Sequence, residues 1–419
     1  MRKFALLLAV TLIFLTGCCC QPVIEKFTVF PFMKTDTMDT ADIATEPPAP
    51  TATEAPIEET DPAIALDHQQ VQDVINQVAE KYNAVGIQVA VVDNGAIVGT
   101  YGSGWATLDT DPMTPDHKMR IASLSKIVIG MTAMKMQEEG LIRIDDNIDD
   151  YWDAKVQNGY YPDIPITFRT LLTHTSSLPA HAYIDGCSYQ MMCERFSQPY
   201  RNVEPGSMDG YSYNNYGFCV LATTMEITAN QHLDQIVEEY FFRNMDIDAS
   251  FCSGDISDPN MLVTLYNEDH SVARSVPYQS DIHRIEELGS NSANYPGGLT
   301  VSAADLAKII VLLVSDGSYQ GQKLMDGKSI TLMEEFIAEP LSDGSYQALP
   351  MVYVESIYGR KGIYYHPGRA FGALNCLSYD PETGDGIVVL TSGAAMGFAQ
   401  YDIYNVCDEI NAYIYKLIQ

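Results

Sequence analysis

Ser123 and Lys126 sit three residues apart in Arg120-Ile121-Ala122-Ser123-Leu124-Ser125-Lys126-Ile127-Val128, where a helical apolar pattern begins. Residues with that spacing share one helix face, which brings the Ser123 hydroxyl within reach of the Lys126 amine. A serine hydroxyl is a weak nucleophile at neutral pH and needs a base to take its proton. A lysine amine can be that base once burial or a cationic or phenolic neighbour lowers its pKa. Alone, Ser-x-x-Lys is common in exposed helices, so its weight comes from two later segments. The first is Tyr211-Ser212-Tyr213-Asn214-Asn215-Tyr216, after Glu204-Pro205-Gly206. A tyrosine held beside a cation can lose its proton below the usual pKa of about 10 and act as a base. The second is His366-Pro367-Gly368-Arg369, on a strand-like run near the C-terminus. There Gly368 leaves room for a substrate backbone against the strand, and the Arg369 amide can face a carbonyl oxygen.

In this order, Ser-x-x-Lys, Tyr and His-x-Gly resemble the serine β-lactamase and penicillin-binding-protein superfamily. The closer likeness is to its class C β-lactamase, D-Ala-D-Ala carboxypeptidase and family VIII esterase branch. Two more segments carry it: Leu171-Leu172-Thr173-His174-Thr175-Ser176-Ser177-Leu178, similar to that branch's Leu-Leu-Thr-His-Thr-Ser-Gly-Leu, and Gly297-Gly298-Leu299 before a helix. The likeness runs from about Leu66 to Gln419. It implies Ser123 as the acylated nucleophile, Lys126 as its activating partner and a tyrosine that passes the proton to the leaving group. It also implies an oxyanion hole from the backbone amides of Ser123 and Arg369, donors worth roughly 3 kcal/mol each in such sites. His366 and Gly368 would meet the substrate, with His366 binding a carboxylate or steadying the tyrosine phenolate. The His174 segment reads as packing near the cleft. No cofactor is implied, and no zinc spacing, His-Glu-x-x-His or Gly-rich phosphate loop occurs.

Two departures from the branch's pattern matter. The branch has Tyr-x-Asn, but the residue two after Tyr211 is Tyr213, and an asparagine comes one step late at Asn214. The spacing from Pro205 favours Tyr211 as the base with Asn214 as the substrate-binding amide. The alternative register uses Tyr213-Asn214-Asn215, with Tyr213 as the base and Asn215 as the amide. Ser177 also stands at a glycine position in a turn. The second departure is His366, where true class C β-lactamases carry lysine; a neutral imidazole holds a carboxylate less firmly than an ammonium. The expected function is therefore an acyl-enzyme serine hydrolase on cell-wall D-amino-acid peptides or on small esters and amides. The alternatives are a β-lactamase, or a penicillin-binding sensor lipoprotein without turnover.

The positioning elements are an amphipathic helix from His68 to Tyr82, with Val71, Ile75, Val78 and Tyr82 on one face, and a hairpin. Val85–Val92 and Ala96–Tyr101 are β-branched runs joined at Asp93-Asn94-Gly95. A helix follows from Ser123 to Glu139, then helices over Gly217–Thr228 and Leu233–Phe242. Strands are expected at Ile363–His366, Ala373–Tyr379 and Gly386–Thr391, before a closing helix from Ala399 to Ile418. Strands at both ends with helices between predict an α/β fold: an antiparallel sheet flanked by N- and C-terminal helices, plus an inserted, mostly helical lobe. The α/β lobe would take residues 65–122 and 295–419, and the helical lobe 123–294.

Residues 1–17 read as a secretory signal: Arg2 and Lys3, an apolar run from Phe4 to Leu15, then Thr16-Gly17-Cys18. Leu15-Thr16-Gly17-Cys18 resembles the bacterial lipoprotein cleavage box, which implies lipidation at Cys18 and anchoring on the extracytoplasmic face of a bacterial membrane. Residues 18–64 carry a Thr/Pro/Glu-rich stretch, read as a tether, and 65–419 as the hydrolase domain. With 55 acidic against 24 basic residues the chain carries a net charge of −31, which argues against nucleic acid or anionic lipid as a partner. A monomer acting on a small-molecule or peptide substrate is expected. Beyond the three cysteines at 18–20, six remain; Cys187 and Cys193 share a loop and form the expected pair, while Cys219 and Cys376 lie in apolar runs.

Overall fold

The computed structural model describes residues 66–179 and 188–418. The signal, Cys18 and the tether lie outside the described residues, as does Cys187 of the expected disulfide.

Helix α1 (His68–Lys81) starts at an Asp67 cap whose side chain accepts from the Gln70 amide, and it buries Val71, Ile75 and Val78. Strands β1 (Gly86–Asp93) and β2 (Ala96–Thr107) form the expected hairpin; Asn94 and Gly95 both take positive φ, as a two-residue primed turn requires. β2 runs well past Tyr101. Its Gly102 and Gly104 break the β-branched pattern that would have shown it, and a Cβ at Gly102 would come within 2.5 Å of the Met113 carbonyl. With β3 (Asp111–Pro112), β4 (Tyr346–Gln347), β5 (Val352–Ile357), β6 (Arg360–Ala370), β7 (Ala373–Asp380) and β8 (Asp385–Ser392), these build one eight-stranded sheet. Its order is β4-β5-β6-β7-β8-β1-β2-β3, antiparallel throughout. An early and a late segment of the described residues thus meet in the sheet, where β1 lies against β8 with Val89 opposite Val389.

The sheet is covered on both faces, which explains why its central strands are near-continuous apolar runs rather than alternating ones. Ile87, Val89 and Val91 pack with α1 and the C-terminal helix α6 (Asn405–Leu417). Ala90 and Val92 face the other way and join a larger core with α5 (Ala303–Val314), α2 (Ser125–Glu138) and α4 (Asn215–Ala229). α2 is buried nearly all round, so it shows no solvent stripe.

Three of the expected helices differ in extent or regularity. The closing helix begins at Asn405 rather than Ala399, because Tyr401 and Asp402 both adopt left-handed backbone and Tyr365 Oη donates to the Tyr401 carbonyl instead. The helix from Leu233 is regular only to Val237 and continues as a π-turn over Glu238–Phe242. The nucleophile helix enters through a tight 3₁₀ turn over Ala122–Leu124 before α2 begins at Ser125.

Candidate active site

Ser123 lies in that 3₁₀ turn, and the residue before it, Ala122, is held at φ +53°. A left-handed alanine at this point is costly and is kept only where the surroundings over-determine it. Those surroundings are the Gly-Gly-Leu segment and strand β6. Ile121 N donates to the Leu299 carbonyl at 2.9 Å, Arg120 Nε to the Gly297 carbonyl at 2.7 Å, and Leu299 N to Ser125 Oγ at 3.1 Å. From the other side, Gly368 of β6 presses against the turn. A Cβ there would lie 2.6 Å from the Ile121 carbonyl, 2.7 Å from Leu124 Cδ1 and 3.4 Å from Ser123 N. Gly368 therefore makes room for the nucleophile turn rather than for a substrate backbone, which corrects the expectation from sequence. Gly368→Ala is expected to lower acyl-transfer rates by at least ~10-fold and stability by roughly 1–3 kcal/mol, since Leu124 can rotate away from the new methyl but the backbone Ile121 carbonyl cannot. Thermal unfolding alongside single-turnover kinetics checks both.

Lys126 is fully buried on α2, with Nζ 3.2 Å from Ser123 Oγ and donating to the Pro296 carbonyl at 2.8 Å. No carboxylate pairs with it among the described residues; instead Nζ lies 5.0 Å from the Tyr213 ring centre and 5.3 Å from that of Phe218. Burial lowers its pKa to about 7, opposed only by nearby Cys219. A substantial fraction of the amine is therefore unprotonated at neutral pH and able to accept the serine proton.

The two tyrosines divide unequally. Tyr213 lines the cleft with Ser123, its hydroxyl close enough to the serine for Ser123 to favour its ionisation. Although 42% of the residue is exposed, its hydroxyl end is enclosed, and burial raises its pKa in spite of the Ser123 contact. Tyr211, the expected base, instead donates to Gln347 Oε1 at 3.2 Å on the wall of the cleft. Burial pushes its pKa up to about 12, reinforced by Asp343 and Asp402. The structure thus brings Tyr213, the alternative, to the nucleophile.

Asn214 follows the same shift. It is buried and caps α4: its Oδ1 accepts from Gly217 N at 3.1 Å and its Nδ2 donates to the Leu178 carbonyl at 3.0 Å. Both ends of the amide serve the fold, so the expectation that it binds substrate is corrected; Asn215 lines the cleft in its place. The preference of helix N-termini for asparagine was the available signal, because Asn214 directly precedes the apolar run of α4.

His366 is buried beside the cleft, its ring centre 6.4 Å from that of Tyr213. Its Nδ1 lies 2.7 Å from the Pro367 carbonyl, an acceptor, so Nδ1 carries the proton and Nε2 is left as an acceptor. Burial and Lys126 lower its pKa to about 3. It is neutral near pH 7 and brings no charge to a substrate carboxylate. Arg369 also lines the cleft, a cavity of about 560 Å³ whose walls include Tyr211, Gln347, Tyr365 and Tyr404. Among the described residues no group of side chains suits a metal ion.

The Thr-His segment runs from α3 (Phe168–Leu172) into two left-handed residues, His174 at φ +59° and Ser177 at φ +62°. Ser177 thus occupies the turn conformation that glycine would hold without strain, and Asn158 Nδ2 donates to its Oγ at 2.9 Å.

The sequence model of the Beta-lactamase family matches residues 71–408. Among curated proteins, the chain is 24% identical over 276 residues to Beta-lactamase-like protein 2 of Dictyostelium discoideum, covering 62% of this chain and 48% of that protein. The chain spans about half the length of the first such relatives. It is 24% identical over 356 residues to the D-alanyl-D-alanine-carboxypeptidase/endopeptidase AmpH of Escherichia coli, covering 80% of this chain and 85% of AmpH. Among solved structures, a β-lactamase/D-alanine carboxypeptidase from Yersinia pestis superposes with a TM-score of 0.66 at 15% identity, over 84% of this chain and all of that one. Fold, motif order and the family match agree: the chain belongs to the Beta-lactamase family.

Proposed function

We propose that this protein is a lipid-anchored, extracytoplasmic serine hydrolase that forms an acyl-enzyme on Ser123. The observation that carries the reading is the buried Lys126 amine 3.2 Å from Ser123 Oγ, with a pKa near 7 and Tyr213 beside the same hydroxyl. Lys126 takes the Ser123 proton as Oγ attacks the acyl carbonyl. The Ser123 and Arg369 amides receive the negative charge on the carbonyl oxygen. Tyr213 remains a phenol because burial raises its pKa, so it serves as a relay: it gives its proton to the leaving group while regaining one from the Ser123–Lys126 side. Water then attacks the ester along the same path, and Ser123 leaves with a proton.

The substrates proposed are D-amino-acid peptides with a free carboxylate, or small esters and amides. Arg369 supplies the cleft's positive charge, whereas the neutral His366 adds none. Asp343 and Asp402, which also line the cleft, suit the ammonium group of a zwitterionic peptide. Turnover of a D-alanyl-D-alanine peptide, a short-chain p-nitrophenyl ester and a chromogenic cephalosporin by the wild type and Ser123→Ala tests this. The peptide or the ester is expected to exceed the cephalosporin by roughly 100-fold or more in kcat/KM. The reverse ranking would favour a β-lactamase. For the anchor, Cys18→Ala is expected to abolish incorporation of labelled palmitate in a bacterial host; unchanged labelling would overturn lipidation at Cys18.

A further inference from the structure

Tyr213 hangs between two hydrogen bonds to a single residue. Ser212 N donates to the His174 carbonyl and Asn214 N donates to His174 Nδ1, each at 3.0 Å. The His174 and Tyr213 rings lie 4.3 Å apart at a 36° tilt, and Phe218 backs the imidazole at 5.2 Å. We propose that His174 is a positioning residue for Tyr213, gripping the backbone on both sides of it and supporting its ring so that the hydroxyl stays beside Ser123. The inference rests on reading Tyr213 as the proton relay.

The local chemistry bears the cost such a role implies. Accepting from a backbone N–H fixes the proton on Nε2, and that atom is buried without a hydrogen-bond partner among the described residues. The residue is also 2% exposed and left-handed. An unpaired buried N–H and a left-handed non-glycine are each destabilising, so packing alone would favour a different residue here. Burial and the neighbouring Lys126 hold the imidazole well below its ordinary pKa, which keeps Nδ1 an acceptor.

The geometry makes a specific demand. Asparagine tolerates left-handed backbone and places its Oδ1 close to where Nδ1 stands, whereas glutamine carries its amide too far out and leucine has no acceptor. His174→Leu and His174→Gln are expected to lower kcat for a p-nitrophenyl ester roughly 10- to 100-fold, the scale of an ångström's misplacement of a catalytic group. His174→Asn should stay within about threefold of the wild type. In a Tyr213→Phe background, His174→Leu should cost less than about threefold, because the group it positions is gone. Crystal structures of the Asn and Leu variants give a readout independent of turnover: Tyr213 Oη stays on Ser123 in the first and departs in the second. Equal losses from His174→Leu in both backgrounds, or an Asn variant no better than Leu with Tyr213 unmoved, would overturn the inference while leaving the relay intact. Wild-type turnover by Tyr213→Phe itself would overturn the relay reading, and the inference with it.

Discussion

Lys126→Met is expected to lower the rate of Ser123 acylation by ~10³-fold or more, the upper range for losing a positioned base, and yet to make the protein more stable. Both effects come from one fact, the burial that lowers the amine's pKa from 10.5 to about 7. The unfolded chain binds the lysine proton more tightly than the folded one. The buried amine therefore costs stability in full below pH 7, progressively less between pH 7 and 10.5, and nothing above. Methionine fills similar volume without a charge to desolvate, so the gain should be on the order of 2 kcal/mol below pH 7 and should fade toward pH 10.5. Chemical denaturation of both proteins at pH 6 and pH 10 checks the sign. In the wild type the acylation rate should rise with pH through a midpoint near 7, following the free amine. A flat profile there, or a Met variant less stable at pH 6 than at pH 10 relative to the wild type, would contradict a functional burial of Lys126. The Pro296 carbonyl, left without its 2.8 Å donor, offsets part of the gain.

The second large effect separates two tyrosines that differ by two positions. Tyr213→Phe is expected to cost roughly 10²- to 10³-fold in kcat, because it removes the hydroxyl that carries the proton to the leaving group. Tyr211→Phe removes only a hydrogen bond to Gln347 on the cleft wall and should cost less than ~10-fold, seen mostly in KM. Substrates with better leaving groups need less protonation, so the Tyr213→Phe deficit should shrink from amides to p-nitrophenyl esters, while that of Tyr211→Phe should not. If the larger loss followed Tyr211, the relay would run through the Gln347 side of the cleft.

The sequence made the nucleophile pair and most of the sheet legible for identifiable reasons. Ser123 and Lys126 lie on one local turn, so their spacing alone fixes their proximity. Asp93-Asn94-Gly95 and the β-branched runs beside it specify the hairpin through short-range chemistry. The tyrosine was a different problem. Tyr211 and Tyr213 flank one residue in an extended stretch, and which of them meets Ser123 is set by His174, nearly forty residues away, through the Ser212 and Asn214 amides. The one local clue was the capping preference, which assigns Asn214 to the helix and so moves the Tyr-x-Asn register to Tyr213 and Asn215. Gly368 answers to a neighbour that its local sequence does not show: the space a side chain would take is occupied by the Ile121 carbonyl and Leu124, a contact between segments more than two hundred residues apart. The closing helix was placed too early because the 399–404 stretch carries no proline or glycine to mark its left-handed turn.

The most direct test is the intact mass of the protein, wild type and Ser123→Ala, quenched in acid at intervals after mixing with a p-nitrophenyl ester and, separately, with benzylpenicillin. A wild-type mass increase equal to the acyl group, mapping to the Ser123 peptide and absent from Ser123→Ala, is the predicted result, with the ester adduct decaying faster than the penicillin one. Turnover without any Ser123 adduct, or an adduct that survives in Ser123→Ala, would contradict an acyl-enzyme at this site.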